Sequence, residues 1–280
     1  MTLLRLTCAA LAATTAAIVL PAAAQEEEQH STLTVGLGAA YVPTYEGSDD
    51  YRVVPIPQLR GKVHDFAFWT RGSGIYLDLI PNTGGTDIDL EAGPVVYARF
   101  DRNGGIKDPV VRALGKRDIA VEVGGFVGIR KTGVITSDFD NLSARIAWTK
   151  DVAGAHGSYV ITPAIEYSTP LSRTAMVGIG ISADYVGKGY GRYYFDVDAD
   201  GSAASGLPVY TGAGDDSGFK KVSFALSGAK SLSGNLRKGW ALFAVASYQK
   251  MLGDYKRAPV VAIRGDSNQW IGAVGIGYTF

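Results

Sequence analysis

Apolar side chains fall at every second position along most of this chain, and that period decides what it can fold into. Between Leu33 and Tyr41 the odd positions are Leu33, Val35, Leu37, Ala39 and Tyr41, with Thr34, Gly36, Gly38 and Ala40 between them. From Ile88 to Phe100 the apolar set is Ile88, Leu90, Ala92, Pro94, Val96, Ala98 and Phe100, set against Asp89, Glu91, Gly93, Tyr97 and Arg99. The same rhythm runs through 119–129, 142–148, 159–167, 175–185 and 222–226, and closes the chain in WIGAVGIGYTF. A period of two sends successive side chains to opposite faces of a β-strand. No stretch of comparable length keeps the helical period of 3.6.

A soluble β-sandwich would also alternate. These segments, however, reach ten or more residues, where strands of ~5–6 are usual. They carry aromatics towards their ends: Tyr41, Phe100, Trp148, Tyr159, Tyr167, Tyr185, Tyr278 and Phe280. Strands of ~9–11 residues with aromatic ends match a lipid-facing band between interfacial girdles. Lipid offers no partner to a backbone amide, so such a sheet must close on itself. The expected fold is an all-β, closed antiparallel transmembrane barrel.

Twelve strands are predicted, near 32–41, 51–60, 64–71, 74–80, 86–100, 118–130, 142–150, 157–169, 174–186, 218–231, 239–251 and 268–280, with ten or fourteen as alternatives. Pro55 and Pro57 weaken the second, because proline donates nothing to a ladder. The order of connection lengths supports an even count. Single-chain barrels keep short turns in the periplasm and longer loops outside, and here the long connections 101–117, 187–217 and 252–267 follow odd-numbered strands. The exception is 131–141, KTGVITSDFDN, which is long for its side and is read as holding an extra short hairpin.

The first residues carry one positive charge at Arg5, an apolar run to Leu20, then Ala22, Ala23 and Ala24 before an acidic cluster. That is the layout of a secretory signal peptide, cleaved between Ala24 and Gln25, with a short periplasmic tail over 25–31 and the barrel over 32–280. Cys8, the only cysteine, leaves with the leader, which excludes disulfides and thiol chemistry. Basic and acidic residues balance at 27 each, so nothing draws the chain to nucleic acid.

Several stretches resemble one family. LGAAYVPTYEGSDDYRVVPIPQLR (37–60) is similar to the opening motif of the MipA/OmpV outer-membrane proteins, with Glu46, Gly47, Ser48, Asp49, Asp50, Tyr51 and Arg52 forming its acidic loop. DIAVEVGGFVGIR (118–130), SGLPVYTGAGDDSGFKKV (205–222), MLGD (251–254) and GIGYTF (275–280) fall in the family's order, whereas 131–158 matches no segment of it. The resemblance implies a Gram-negative outer-membrane location. It also implies contact with lipid and lipopolysaccharide and, from one well-known member, a scaffold that ties murein-processing enzymes to the envelope. Other members are described as porin-like, adhesive or antigenic. The ending with Trp270, Tyr278 and Phe280 resembles the signal read by the outer-membrane assembly machinery, and Phe280 is expected to close the last strand on the first.

No cofactor or catalytic motif is complete. Glu46, Asp49 and Asp50 could serve a hard cation, but a solvated acidic turn closed by Gly47 is the simpler reading. The stretch DVDADG carries Asp196, Asp198, Asp200 and Gly201, yet lacks the downstream glutamate of a calcium loop. His30, His64 and His156 are the histidines. His156 stands two residues from Ser158 in an external loop, where a lipid-cleaving triad would still need an orienting group. The chain is therefore read as a non-enzyme. The informative set is the inward face: Asp78, Asp89, Glu91, Arg99, Glu122, Arg130, Arg145, Glu166 and Asp184. Either these line a narrow polar channel or they pair across the lumen and plug it; we read a small or plugged lumen, since unpaired charges are costly in a tight interior.

Overall fold

The structure is a computed structural model that describes residues 31–63, 66–81 and 88–280. The leader, most of the tail, His30 and His64 lie outside the described residues. Twelve strands close into one antiparallel barrel, each pairing with its neighbours in sequence and the last with the first. They are β1 (Thr32–Pro43), β2 (Tyr51–Val63), β3 (Phe66–Arg71), β4 (Gly74–Asp78), β5 (Ile88–Arg99), β6 (Ala120–Thr132), β7 (Asn141–Asp151), β8 (Tyr159–Ser172), β9 (Ala175–Val186), β10 (Gly218–Ser231), β11 (Gly239–Met251) and β12 (Asn268–Thr279).

The alternation in sequence becomes two surfaces. Leu37, Val53, Leu90, Val127, Ile146, Ile165, Leu226, Trp270 and Val274 are exposed on the outer wall, where lipid replaces water. Their strand neighbours face the interior. Closure pairs Thr34 with Thr279 and runs to Tyr41 beside Gly272, so no strand edge is left between first and last.

The prolines of β2 fit because the strand is paired unequally. It pairs with β1 from Tyr51 to Lys62, but only Arg60–Val63 pair with β3. Leu59 turns its N–H and carbonyl away from β1, towards the Thr70 hydroxyl, and Pro57 and Pro55 share that parity. Both rings therefore point to the side where no ladder bond is available, as proline in an edge strand does.

Among the described residues six short helices lie in the connections, all on the side of the long loops: α1 (Pro109–Ala113), α2 (Lys188–Tyr194), α3 (Ala199–Ser205), α4 (Gly212–Asp215), α5 (Gly253–Arg257) and α6 (Pro259–Ala262). They fold into the barrel mouth around one apolar cluster that includes Tyr45, Val111, Tyr190, Tyr194, Phe195, Leu207, Tyr255 and Val261. By the usual asymmetry this is the external end.

The segment between β6 and β7 holds no extra hairpin. It is a single turn organised by Asp140, whose carboxylate accepts the backbone N–H groups of Val134, Ile135 and Thr136. One carboxylate satisfying successive amides gives the chain an alternative to ladder pairing.

Candidate functional site

All nine charges singled out on the sequence lie on the inward face, and most join in three connected groups. In the first, Glu91 pairs with Arg130, and Glu166 pairs with Arg71 and, at 2.8 Å, with Arg145. The Arg145 guanidinium lies 5.3 Å from the ring centre of Trp69 and 5.7 Å from that of Tyr76. Arg60 stands beside this group on β2, in the company of Arg130, Glu91, Arg145 and Glu166. Asp78 stays apart and accepts the N–H groups of Ile80 and Ala92. Asp89 is buried at the foot of β5.

The second group centres on Glu122, whose side chain is 0% exposed. It is gripped on both oxygens by Arg99 and receives the Thr149 hydroxyl at 2.7 Å. His156 Nε2 lies 3.1 Å from the same carboxylate. The Ser158 N–H donates to His156 Nδ1, so Nδ1 is the acceptor nitrogen and Nε2–H donates to Glu122. His156 thus points into the barrel, not towards the rim where lipid would be cleaved. Asp151 causes this, because its carboxylate accepts the His156 and Gly157 N–H groups and folds the 152–158 loop inwards.

The third group lies under the external cap. Lys220 Nζ is 2.7 Å from Glu46 Oε2, and Lys221 Nζ is 2.7 Å from Glu46 Oε1. Asp184 completes it at 3.5 and 3.6 Å from the two lysines. Tyr190 joins the second and third groups: its hydroxyl bonds both Glu46 and Lys220, and Arg99 and Lys220 pack on its ring. Burial alone would raise the Glu46 pKa, but Lys220 and then Lys221 hold it well below the usual carboxylate range. Asp101, which accepts the Glu46 N–H, is pushed upward by burial and by the Glu46 charge.

The reading of 46–50 as a solvated acidic turn is therefore corrected for Glu46, which is 4% exposed. Two lysines need a counter-charge where water is excluded, and Glu46 supplies it. The rest of the loop stitches the cap. The Tyr45 hydroxyl donates to the Arg264 carbonyl at 2.7 Å, Gln269 bonds the Ser48 carbonyl, and Arg52 bonds the Gly104 carbonyl. Tyr51 stacks on Tyr41. Gly47 adopts φ +98°, and a side chain there would strike Val261. Asp49 remains exposed and Asp50 is half-buried. At DVDADG, Asp198 caps α3 through the Gly201 N–H, and Asp196 accepts the Ala213 and Gly214 N–H groups. Among the described residues no cluster of three or more metal-ligating side chains forms.

Sequence reasoning did not single out Arg60, Arg71, Lys220 and Lys221. The lysines are adjacent, and strict alternation would send one of them into lipid. A register shift in β10 between Phe219 and Lys221 turns both inwards, as a β-bulge does.

The buried ion pairs thus lie inside a closed twelve-strand barrel, beneath the apolar cap. Residues 35–280 match the family described as MltA-interacting protein MipA. The chain belongs to that family and resides in the outer membrane of a Gram-negative bacterium. Among solved structures it is similar to the COG4313 outer membrane channel from Pseudomonas putida F1, at 10% identity and a TM-score of 0.49, covering 94% of this chain and 100% of that one. It is also similar to an anion-selective porin from Comamonas acidovorans, at 13% identity and a TM-score of 0.36, covering 90% and 99%. No curated protein matches it.

Proposed function

We propose that this barrel is a closed, non-enzymatic outer-membrane anchor that holds a murein-processing enzyme at its periplasmic end. What supports this is the set of buried ion pairs on the inward face and the apolar cap over the external end, which we read as closing the path a solute would take. A barrel filled this way serves by its surfaces. Its outer wall meets lipid and lipopolysaccharide, and its last strand is what the assembly machinery would read.

The periplasmic surface best suited to a protein partner is the joined pair of turns at 173–174 and 232–238. The Leu236 N–H donates to the Arg173 carbonyl, and Ser231 Oγ holds the second turn by bonding Ser233, Asn235 and the Asn235 carbonyl. Arg173, Lys230 and Lys238 are exposed there, beside Arg237, and no acidic residue lies within 168–176 or 228–240. A basic knuckle of this kind fits an acidic patch on the partner. The family's description names an MltA partner, and this surface is where such an enzyme would dock.

Two measurements test the reading. Purified barrel in planar bilayers should be electrically silent; steady conductance steps whose ion selectivity changes in Arg145→Ala would replace the anchor with a channel. A photo-crosslinker at position 238 should capture a murein hydrolase from cell envelopes, and reversing the charge at Arg173 and Lys238 should abolish capture. Unchanged capture after that reversal would remove the docking site.

A further inference from the structure

The long even-side connection is not spread over the barrel's periplasmic opening; it is folded outwards against the wall. Three contacts fix this. Thr136 Oγ1 lies 2.6 Å from the Tyr167 hydroxyl and 2.7 Å from Thr169 Oγ1, and the Tyr167 hydroxyl donates to Asp140 Oδ2 at 2.8 Å. Tyr167 and Thr169 alternate in β8 with buried Glu166 and Ser168, so they face outwards. The turn leaves β6 after Thr132, reaches sideways past β7 and rests on the lipid-facing side of β8.

This placement gives its apolar residues a meaning. Ile135 is 67% exposed and Phe139 57%, with Val134 also exposed. Beside them on the outer wall stand Ile129, Ile165 and Leu171, all exposed and all on the lipid-facing surface. Lys131, exposed at the end of β6, supplies a cation at the same rim. A cluster of exposed apolar side chains on a hydrogen-bonded turn is unusual where water is the only neighbour. Here Asp140 holds the turn with bonds from four backbone N–H groups, two hydroxyls included besides, so little ordering entropy opposes binding.

We propose that residues 133–140 form an interfacial anchor, with Ile135 and Phe139 immersed in the phospholipid leaflet that faces the periplasm. The occupant follows from continuity: Ile135 and Phe139 add to the exposed apolar residues Ile129, Ile165 and Leu171 of the lipid-facing band, and the hydroxyl contacts to Tyr167 and Thr169 hold the loop on the membrane side of the wall. Aromatic and aliphatic side chains at the boundary of headgroups and acyl chains act this way in peripheral segments. The proposal is independent of any docked enzyme and assigns 133–140 to the bilayer, leaving the basic knuckle free for protein.

The test exploits the scarcity of thiols. In a Cys8→Ser background, Ile135→Cys and Phe139→Cys are labelled separately with a nitroxide. Ile165→Cys marks the lipid-facing wall and Lys238→Cys the aqueous turn. The folded proteins are placed in phosphatidylethanolamine–phosphatidylglycerol vesicles, and collision rates with oxygen and with a water-soluble nickel chelate are compared. Labels at 135 and 139 should favour oxygen over the chelate several-fold more than the label at 238 does, approaching the label at 165. Chelate access equal to that at 238 overturns the proposal. Since both sites are exposed, folding should survive labelling; if one variant loses its heat-modifiable migration, the other decides. The vesicles hold no partner protein, so the outcome does not depend on whether the barrel anchors an enzyme.

Discussion

Lys220 and Glu46 are 174 positions apart, yet the lysine ammonium sits 2.7 Å from the glutamate carboxylate, with the Lys220 side chain 0% exposed. The contact ties the first external loop to the wall of β10 and fixes the cap over the lumen. Removing one member of a buried pair strands the other charge and typically costs about 3–5 kcal/mol. Glu46→Ala should therefore lower the temperature at which the unheated gel band converts to the unfolded position. The double variant Glu46→Leu with Lys220→Met should recover part of the loss, since an apolar pair leaves one fewer charge unmatched. Equal melting of Glu46→Ala and the parent would show that the pair does not hold the cap.

The same carboxylate sets a pH dependence. Burial opposes the Glu46 charge, but Lys220 and Lys221 overcome it and keep its pKa below the ordinary glutamate value of 4.5. A carboxyl whose folded pKa is depressed contributes fully above its unfolded value, and the contribution is lost as pH falls through the folded one. Asp101 works the other way, its pKa raised by burial and by Glu46, so its protonation relieves repulsion first. Asp184, Lys221 and Tyr190 complete the surroundings of the pair. Thermal stability of the cap, followed by near-ultraviolet circular dichroism of its tyrosines, should be flat from neutrality to about pH 5 and fall at lower pH. Glu46→Gln should start lower and show a shallower fall. A parent that loses stability well above the glutamate range would place the titrating group elsewhere.

The external cap depends on a close approach of two backbones. A Cβ built on Gly191 in α2 would lie 1.7 Å from the Ala213 carbonyl oxygen in α4. That atom cannot step aside as a flexible side chain could, and forcing volume into a packed core costs about 1–3 kcal/mol or more. Gly191→Ala should separate the two helices and expose Tyr190, Tyr194 and Phe195, which are buried in the parent. On intact cells the parent loop should resist chymotrypsin at these residues, while an unspecific protease cuts at the exposed Ala203, Ala204 and Gly206. The alanine variant should become sensitive to chymotrypsin. Unaltered resistance would mean the helices do not lock the cap.

Wall and lumen were legible in the sequence to different depths. Period-two patterning needs only the identity of each residue, so Leu37 and Val127 could be sent to lipid, and Glu122 and Arg145 to the interior, without a structure. Lys220 could not, because its inward turn depends on a bulge that breaks the period at one residue. The burial of Glu46 is hidden for a related reason. An acidic turn rich in glycine looks the same whether it meets water or two lysines supplied by a strand far along the chain. The length of 131–141 points to an extra short hairpin within it, whereas Asp140 satisfies the amides such a hairpin would use.

Closure at the C-terminus gives the last prediction. β12 pairs with β1 from Thr34 to Tyr41, and the Phe280 N–H continues the ladder by donating to the Leu33 carbonyl at 2.9 Å. The Phe280 ring packs against Tyr278, which packs against Trp240, making an aromatic cluster at the periplasmic rim. Trp270 lies at the opposite end of the same strand, beside Tyr248, and its N–H meets the Tyr51 hydroxyl. Deleting Phe280 removes one ladder bond, worth about 0.5–1.5 kcal/mol, and an interfacial ring. That loss is too small to unfold a finished barrel. Yet until strand one and strand twelve meet, both present unpaired edges, each buried group costing several kcal/mol in lipid. The deletion should therefore slow assembly more than it lowers final stability. In a pulse-chase, the variant should convert to the heat-modifiable outer-membrane form more slowly than the parent, while the converted fraction melts nearly as the parent does. Conversion at the parental rate would deny Phe280 a part in closure, and a large loss of melting temperature would make its role structural.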